Sequence, residues 1–233
     1  MAGLEHIDWL RQRLRASLVV EPRDPSGLLE WLEARRKDVP FSAHLIPLRD
    51  VANWQQTDNG NITSTTGQFF RIEGVRVTSA PGVREVSGWD QPIFTQSEGG
   101  VLALLCRETP DNGIEFLLQA KADPGNIGYL QFCPTIQSTW ENIRGLKGAR
   151  RAPFAECLDP SDSIRVIYRS KHNEEGSRFW QKSNENMILF VEDSSRLEFN
   201  EASYRWASLS QIKAMTLLDN VVGPYVRTVI APL

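Results

Sequence analysis

Residues 101–106 read Val-Leu-Ala-Leu-Leu-Cys, six apolar residues without a break. That is the pattern of a strand covered on both faces. Shorter segments around it alternate. Residues 68–78 carry Phe70, Ile72, Val75 and Val77, which share an inner face if a bulge falls at Gly74. Residues 114–122 and 129–138 predict two further strands, and 164–168 and 187–191 add others. The polar stretch 53–67 reads as a flexible loop, and 149–163 as a loop with one helical turn.

Helical spacing is confined to the two ends. Leu4, Ile7, Leu10, Leu14 and Leu18 recur at three and four residues. Asp24-Pro25-Ser26 then offers a start signal, with Asp24 or Ser26 as cap, and Leu28, Leu29, Trp31 and Leu32 follow. Arg35, Arg36 and Lys37 suit the dipole of the last turn, and Pro40 stops the helix. Tyr204 to Ala207 reads as a strand, Ser208 as the cap of a helix through Leu217, and residues 220–230 as a second helix. The expected class is α+β: a mixed, mainly antiparallel sheet with flanking helices. Residues 1–40 form an N-terminal helical extension and 41–233 the main domain.

Composition narrows the function. With 26 basic and 29 acidic residues the net charge is −3, which excludes a dominant pull toward nucleic acid or an anionic membrane. Three cysteines without CxxC spacing and three scattered histidines argue against a disulfide scaffold, a zinc site or another metal centre. No apolar run reaches the roughly 18–20 residues that span a bilayer. The first residues lack the long apolar region of a secretory signal, so a cytoplasmic location is expected.

Two stretches carry chemistry. In residues 115–142, Pro124-Gly125 is a strong turn pair, so two strands fold back on each other. Gln119, Lys121 and Asp123 alternate with apolar residues on the first strand. Tyr129, Gln131, Cys133, Thr135 and Gln137 alternate on the second. One patch then holds a lysine, several amides and a hydroxyl. That suits a polyhydroxylated ligand, or is the solvated face of a sheet. In residues 172–186, Glu174 or Glu175 is a candidate general base and Arg178 a phosphate fork, with His172 beside them; the alternative is a solvated loop. Cys133 and Cys157 are candidate nucleophiles without a neighbouring histidine, and buried free thiols are the commoner case. No dinucleotide, P-loop, zinc-protease or serine-hydrolase motif occurs.

Five segments together carry a resemblance: Gly88-Trp89-Asp90-Gln91-Pro92, residues 119–126 (QAKADPGN), residues 133–139 (CPTIQST), residues 174–179 (EEGSRF), and Tyr204-x-Trp206 with the helix after it. In this order the chain resembles the NDP-hexose 2,3-dehydratases of deoxysugar biosynthesis. The resemblance implies a Nudix-like fold without Nudix hydrolysis, since Ser170-Lys171 stands where the Nudix metal motif needs Arg-Glu before Glu174-Glu175. It implies a lyase that eliminates water across C2–C3 of a thymidine-diphosphate 4-keto-6-deoxyhexose and needs no cofactor. A ketoreductase or aminotransferase would consume the product.

On that resemblance Lys121, Glu175 and Gln137 are the catalytic candidates. Trp89, Gln119, Asn126, Tyr129, Gln131, Thr135, Arg144 and Arg178 are expected to hold the substrate. The family usually has Glu at Asp123, Asn-Tyr at Asn142-Ile143 and often Gly at Ser177. Members commonly run to about twice this length with two tandem copies, so a homodimer is the expected assembly. Two other readings compete: a different reaction on the same scaffold, such as an isomerisation or cyclisation, and a non-catalytic nucleotide-sugar-binding module.

Overall fold

The computed structural model describes residues 2–18, 23–67, 69–110, 113–145, 151–159 and 161–233. Gln68 and residues 149–150, at the margins of two expected segments, lie outside the described residues, as do the side chains of Leu4 and Leu18. Two compact units form. The first comprises residues 1–43, 100–171 and 185–233, and the second residues 44–99 and 172–184.

The first unit is built on a seven-stranded sheet. Its strands are β5 (Gly100–Glu108), β6 (Ile114–Ala122), β7 (Leu130–Cys133), β8 (Ile136–Thr139), β9 (Ile164–Asn173), β10 (Ser183–Val191) and β11 (Tyr204–Ser208). β9 and β10 each cross a unit boundary, at residues 171 and 184. The apolar run 101–106 is the centre of β5 and is fully covered, as expected. Leu102, Leu104 and Cys106 share one apolar cluster with Phe116, Leu118, Ile188 and Phe190. Val101, Ala103 and Leu105 share the other with Leu117, Ile136, Met187 and Leu189. Strand alternation thus builds two cores, one per face.

Helices α1 (Ala2–Leu18), α2 (Ser26–Asp38), α4 (Leu209–Met215) and α5 (Pro224–Ile230) cover the first face. The turn at 155–158 and the short helix α3 (Trp140–Ile143) contribute Cys157, Leu158 and Ile143 to the second. The Asp24 carboxylate accepts the Ser26 N–H at 3.0 Å ahead of α2, and Ser208 with Gln211 closes a capping box on α4. The final helix begins later than its periodicity implies. Pro224 occupies its first turn, and Val222 pairs instead with Phe132 as an extended bridge.

The sheet forks. β5 and β6 pair antiparallel only from Cys106↔Phe116 to Glu108↔Ile114. Beyond the fork β5 takes β8 as partner and β6 takes β7. The single strand expected over 129–138 is therefore two, broken at Pro134, whose ring removes a ladder N–H. β5 also pairs parallel with β10, the one parallel ladder among those whose register is described.

The second unit holds an antiparallel sheet of β1 (Trp54–Gln56), β2 (Ile62–Ser64), β3 (Arg71–Thr78) and β4 (Gly88–Thr95). Two expectations change here. The polar stretch 53–67 is not a loop but the β1–β2 hairpin, turned at Gly60 with φ 85°. No bulge falls at Gly74, because β3 and β4 pair one to one from Arg71↔Thr95 to Thr78↔Gly88. Ile72 therefore faces away from Val75 and Val77; Glu73, Val75 and Val77 are half-buried, while Gly74, Arg76 and Thr78 on the side of Ile72 are exposed.

Thr135 sits at the fork, 1% exposed. Its hydroxyl accepts the Leu105 N–H at 3.0 Å and donates to the Leu117 carbonyl. Thr135→Val would leave both backbone groups unsatisfied and cost about 2–3 kcal/mol in urea unfolding, with Thr135→Ser restoring most of it. A loss below about 0.5 kcal/mol would show that the fork closes without the hydroxyl.

Candidate functional site

In the first unit, β6 and β7 bring the motifs QAKADPGN and CPTIQST together. Lys121 pairs with Gln131, and Gln119 with Cys133. Lys121 Nζ donates to both oxygens of Asp123, at 3.0 and 3.2 Å. Gln137 reaches the same carboxylate from β8, Nε2 to Oδ2 at 3.5 Å, while its Oε1 is shielded from solvent without a partner. Lysine, carboxylate and amide are thus assembled from three positions. An ammonium held by a carboxylate has only donors to offer, so the cluster suits stabilising an oxyanion or delivering a proton.

The expected single face of five residues on 129–138 does not exist. Cys133 pairs with Gln119 and Ile136 with Ala103, which puts both on the same side, so Gln137 takes the opposite one. Pro134-Thr135 resets the phase. Thr135, expected to contact substrate, spends its hydroxyl within the sheet. Tyr129 has φ 59°, its ring stands against Phe41 at 5.4 Å, and its hydroxyl donates to the Ala43 carbonyl at 3.1 Å. Asn126 Nδ2 closes the 123–129 turn on the Tyr129 carbonyl at 3.1 Å. Arg144 caps α3 with its guanidinium 5.6 Å from the Trp140 ring.

A groove of about 440 Å³ opens between residues 125–127 and residues 216–224. Asn126, Gln131, Asp219, Asn220 and Arg227 give it polar walls, and Ile127, Leu217 and Leu218 an exposed apolar rim. The volume lies in the range of small-molecule sites. Both walls are fastened by one side chain: Arg36 of α2 donates to the Leu130 carbonyl at 3.0 and 3.1 Å and to the Asn220 carbonyl at 2.9 Å. The sequence placed Arg36 only as a dipole partner. Asn220 and Arg227 went unnoticed, although Asp219-Asn220 before Val-Val-Gly-Pro is a turn signal that points to a loop wall.

In the second unit, motifs 86 residues apart meet: Gln91 Nε2 donates to the Ser177 carbonyl at 2.8 Å, and Gln91 Oε1 accepts from Trp89 Nε1 at 2.7 Å. Backbone bonds from Phe94 N to the Arg178 carbonyl and from Trp180 N to the Phe94 carbonyl, each 2.8 Å, continue the contact. The expected 172–186 loop shrinks to residues 174–182, since β9 and β10 extend into it. Glu175 accepts the Ser177 hydroxyl at 2.6 Å, and Arg178 is exposed. Glu174 is the buried acid of the pair: Lys182 binds it at 2.8 Å with side chains 11% and 8% exposed, and Asn184 adds a bond at 2.8 Å. Lys121 and Gln137 belong to the first unit, Glu175, Trp89 and Arg178 to the second. Among the described residues no three His, Cys, Asp or Glu side chains gather as a metal site.

Fold and clusters define an α+β protein with an amide-lined polar groove. The chain matches the NDP-hexose 2,3-dehydratase family over residues 26–233, and it belongs to that family. Its similar relatives include three proteins named dTDP-4-dehydro-6-deoxy-alpha-D-glucopyranose 2,3-dehydratase. The one from Amycolatopsis orientalis is 33% identical over 207 residues, covering 87% of this chain and 43% of that protein. The one from Saccharopolyspora spinosa is 30% identical, covering 86% and 40%. The one from Streptomyces violaceoruber is 30% identical, covering 89% and 46%. The chain thus spans less than half the length of these relatives. Among solved structures it is similar to RenU, a Nudix hydrolase from M. smegmatis, at 19% identity and TM-score 0.36, covering 68% of this chain and 97% of that one.

The three cysteines are buried and free. Burial pushes the Cys133 thiol up to about 12, with Lys121 pulling weakly the other way, and the Cys157 thiol up to about 11. Cys106 is raised as well by burial. None is a thiolate at neutral pH, so none is poised as a nucleophile. Iodoacetamide at pH 8 should modify no cysteine in the folded protein and all three in urea, read by mass. Unfolded thiols ionise near 8.5. The stability these neutral thiols contribute is therefore full below that pH and is lost as pH rises through about 12, so the urea midpoint should fall over that window.

Proposed function

We propose that this chain carries the activity for which its relatives are named: dehydration of a thymidine-diphosphate 4-keto-6-deoxyhexose. The observation that carries the reading is Lys121, held by Asp123 beside the unpartnered oxygen of Gln137 in the stretch that holds the family motifs. The C4 carbonyl acidifies the C3 proton. A base removes it, and negative charge develops on O4. The C2–O bond then breaks, the hydroxyl leaving as water with a proton from an acid. The resulting enol gains a proton at C2 as its O3 hydroxyl gives one up, and becomes the 3,4-diketo-2,6-dideoxy sugar. Electrons and atoms balance without a redox partner.

Lys121 serves the developing oxyanion or delivers the proton to the leaving hydroxyl. Glu175 is the candidate base, and Trp89, Gln119 and Arg144 remain substrate contacts in this reading, as does Arg178 for phosphate. A ketoreductase or aminotransferase then consumes the diketo product, in the cytoplasm. The assembly is a homodimer, favoured by the exposed apolar run Leu45, Ile46 and Leu48.

Purified protein, the 4-keto-6-deoxy nucleotide sugar and an NADPH-dependent ketoreductase should together yield a sugar lighter by one oxygen, followed by mass. Lys121→Ala should lower kcat by at least about a hundredfold, as loss of one oxyanion donor does. A parent protein that yields no dehydrated product overturns the reading. Sedimentation at working concentration should give the mass of two chains, and a single-chain mass would remove the dimer.

A further inference from the structure

We propose that the groove between residues 125–127 and 216–224 seats the hexose of the nucleotide sugar, with Arg227 on its diphosphate. The inference rests on the dehydratase reading for the class of ligand; the groove itself supplies the placement. Gln131 is its most informative residue. It is only 6% exposed, yet it lines the groove, and its amide makes no hydrogen bond to any described residue. What remains accessible of this side chain is the amide that faces the groove, open to a hydrogen bond from a ligand or water. Gly223 lets the 216–224 segment pack closely on β7 beside Gln131, its N–H bonded to the Phe132 carbonyl at 2.8 Å. A Cβ there would stand 3.2 Å from the Phe132 carbonyl, 3.3 Å from Cys133 Sγ and 3.7 Å from Gln131 Oε1.

The rest of the lining fits the same ligand. Planar amides on Asn126 and Asn220 can donate to one ring hydroxyl and accept from its neighbour. The rim residues Ile127 and Leu217 offer apolar surface to the C–H face of a sugar ring. Arg227 is exposed, and among the described residues nothing forms an ion pair or hydrogen bond with its guanidinium, which leaves its fork for a phosphate. Gln131 is the strand partner of Lys121, so a hexose bound on this amide lies beside the catalytic candidate. Arg36 ties the segment next to Gln131 to the opposite wall, through the Leu130 and Asn220 carbonyls.

Calorimetric titration with two probes, thymidine diphosphate and thymidine-diphosphate glucose, tests the placement. Arg227→Gln should weaken both probes about tenfold. Asn220→Gly keeps the left-handed backbone and its carbonyl, removes only the amide, and should weaken the glucose conjugate about tenfold while leaving thymidine diphosphate unchanged. Both sites are tolerant of change, and melting curves equal to the parent's confirm the fold. Variants that bind both probes as the parent does overturn the placement, as does an equal loss on both probes in Asn220→Gly. If the parent dehydrates the 4-keto sugar while the variants bind unchanged, the dehydratase reading stands and the groove falls. A parent that neither binds nor reacts removes both.

Discussion

The first unit depends on what happens where two strands part. β5 and β6 are partners for three residues and then diverge, which would strand the Leu105 N–H and the Leu117 carbonyl inside the protein. A peptide pair has been replaced by one side chain that accepts on one side and donates on the other. Only a hydroxyl does both from a single atom in so small a space. Because that atom closes the fork, β7 and β8 can fill it, one on each arm. They carry Gln131 and Gln137 to the two sides of the opening.

Two lysine–carboxylate pairs show how burial divides labour. Lys182 and Glu174 are almost wholly removed from water and are shared with Asn184 and the Phe179 ring, 4.7 Å from the ammonium. Breaking such a pair leaves a buried charge, so it specifies local geometry more than it adds net stability. Lys121 and Asp123 are 28% and 36% exposed. Their mutual attraction is screened, and either can exchange its partner for a ligand at modest cost. The buried pair holds the 174–182 segment in shape; the exposed pair is the one able to take part in chemistry.

Much of this was legible from residue order because local signals and global packing agree. The apolar run 101–106, the stripe Ile7, Leu10 and Leu14, and the Ser208 cap each became what their patterns indicate. The motif stretch containing Lys121, Asp123 and Gln137 also came together. Two of the misreadings share one cause: period-two reasoning assumes that a strand stays in phase. Pro134-Thr135 shifts the phase between two ladders, and Gly74, opposite Pro92, does not shift it where a bulge was expected. Arg36, Asn220 and Arg227 were invisible for another reason. Their roles depend on chain segments up to 184 residues apart, and no local pattern encodes such a meeting.

The two-residue link at Pro134-Thr135 also bears on how this chain can vary in length. Surface loops absorb insertions and deletions because nothing beyond them counts residues. This link does count. One residue more or fewer would turn Ile136 outward from its cluster and swing Gln137 into it, so a change of length there inverts β8 rather than lengthening a loop. Variation by single residues should accordingly collect in the connections around the sheet and be absent from its fork.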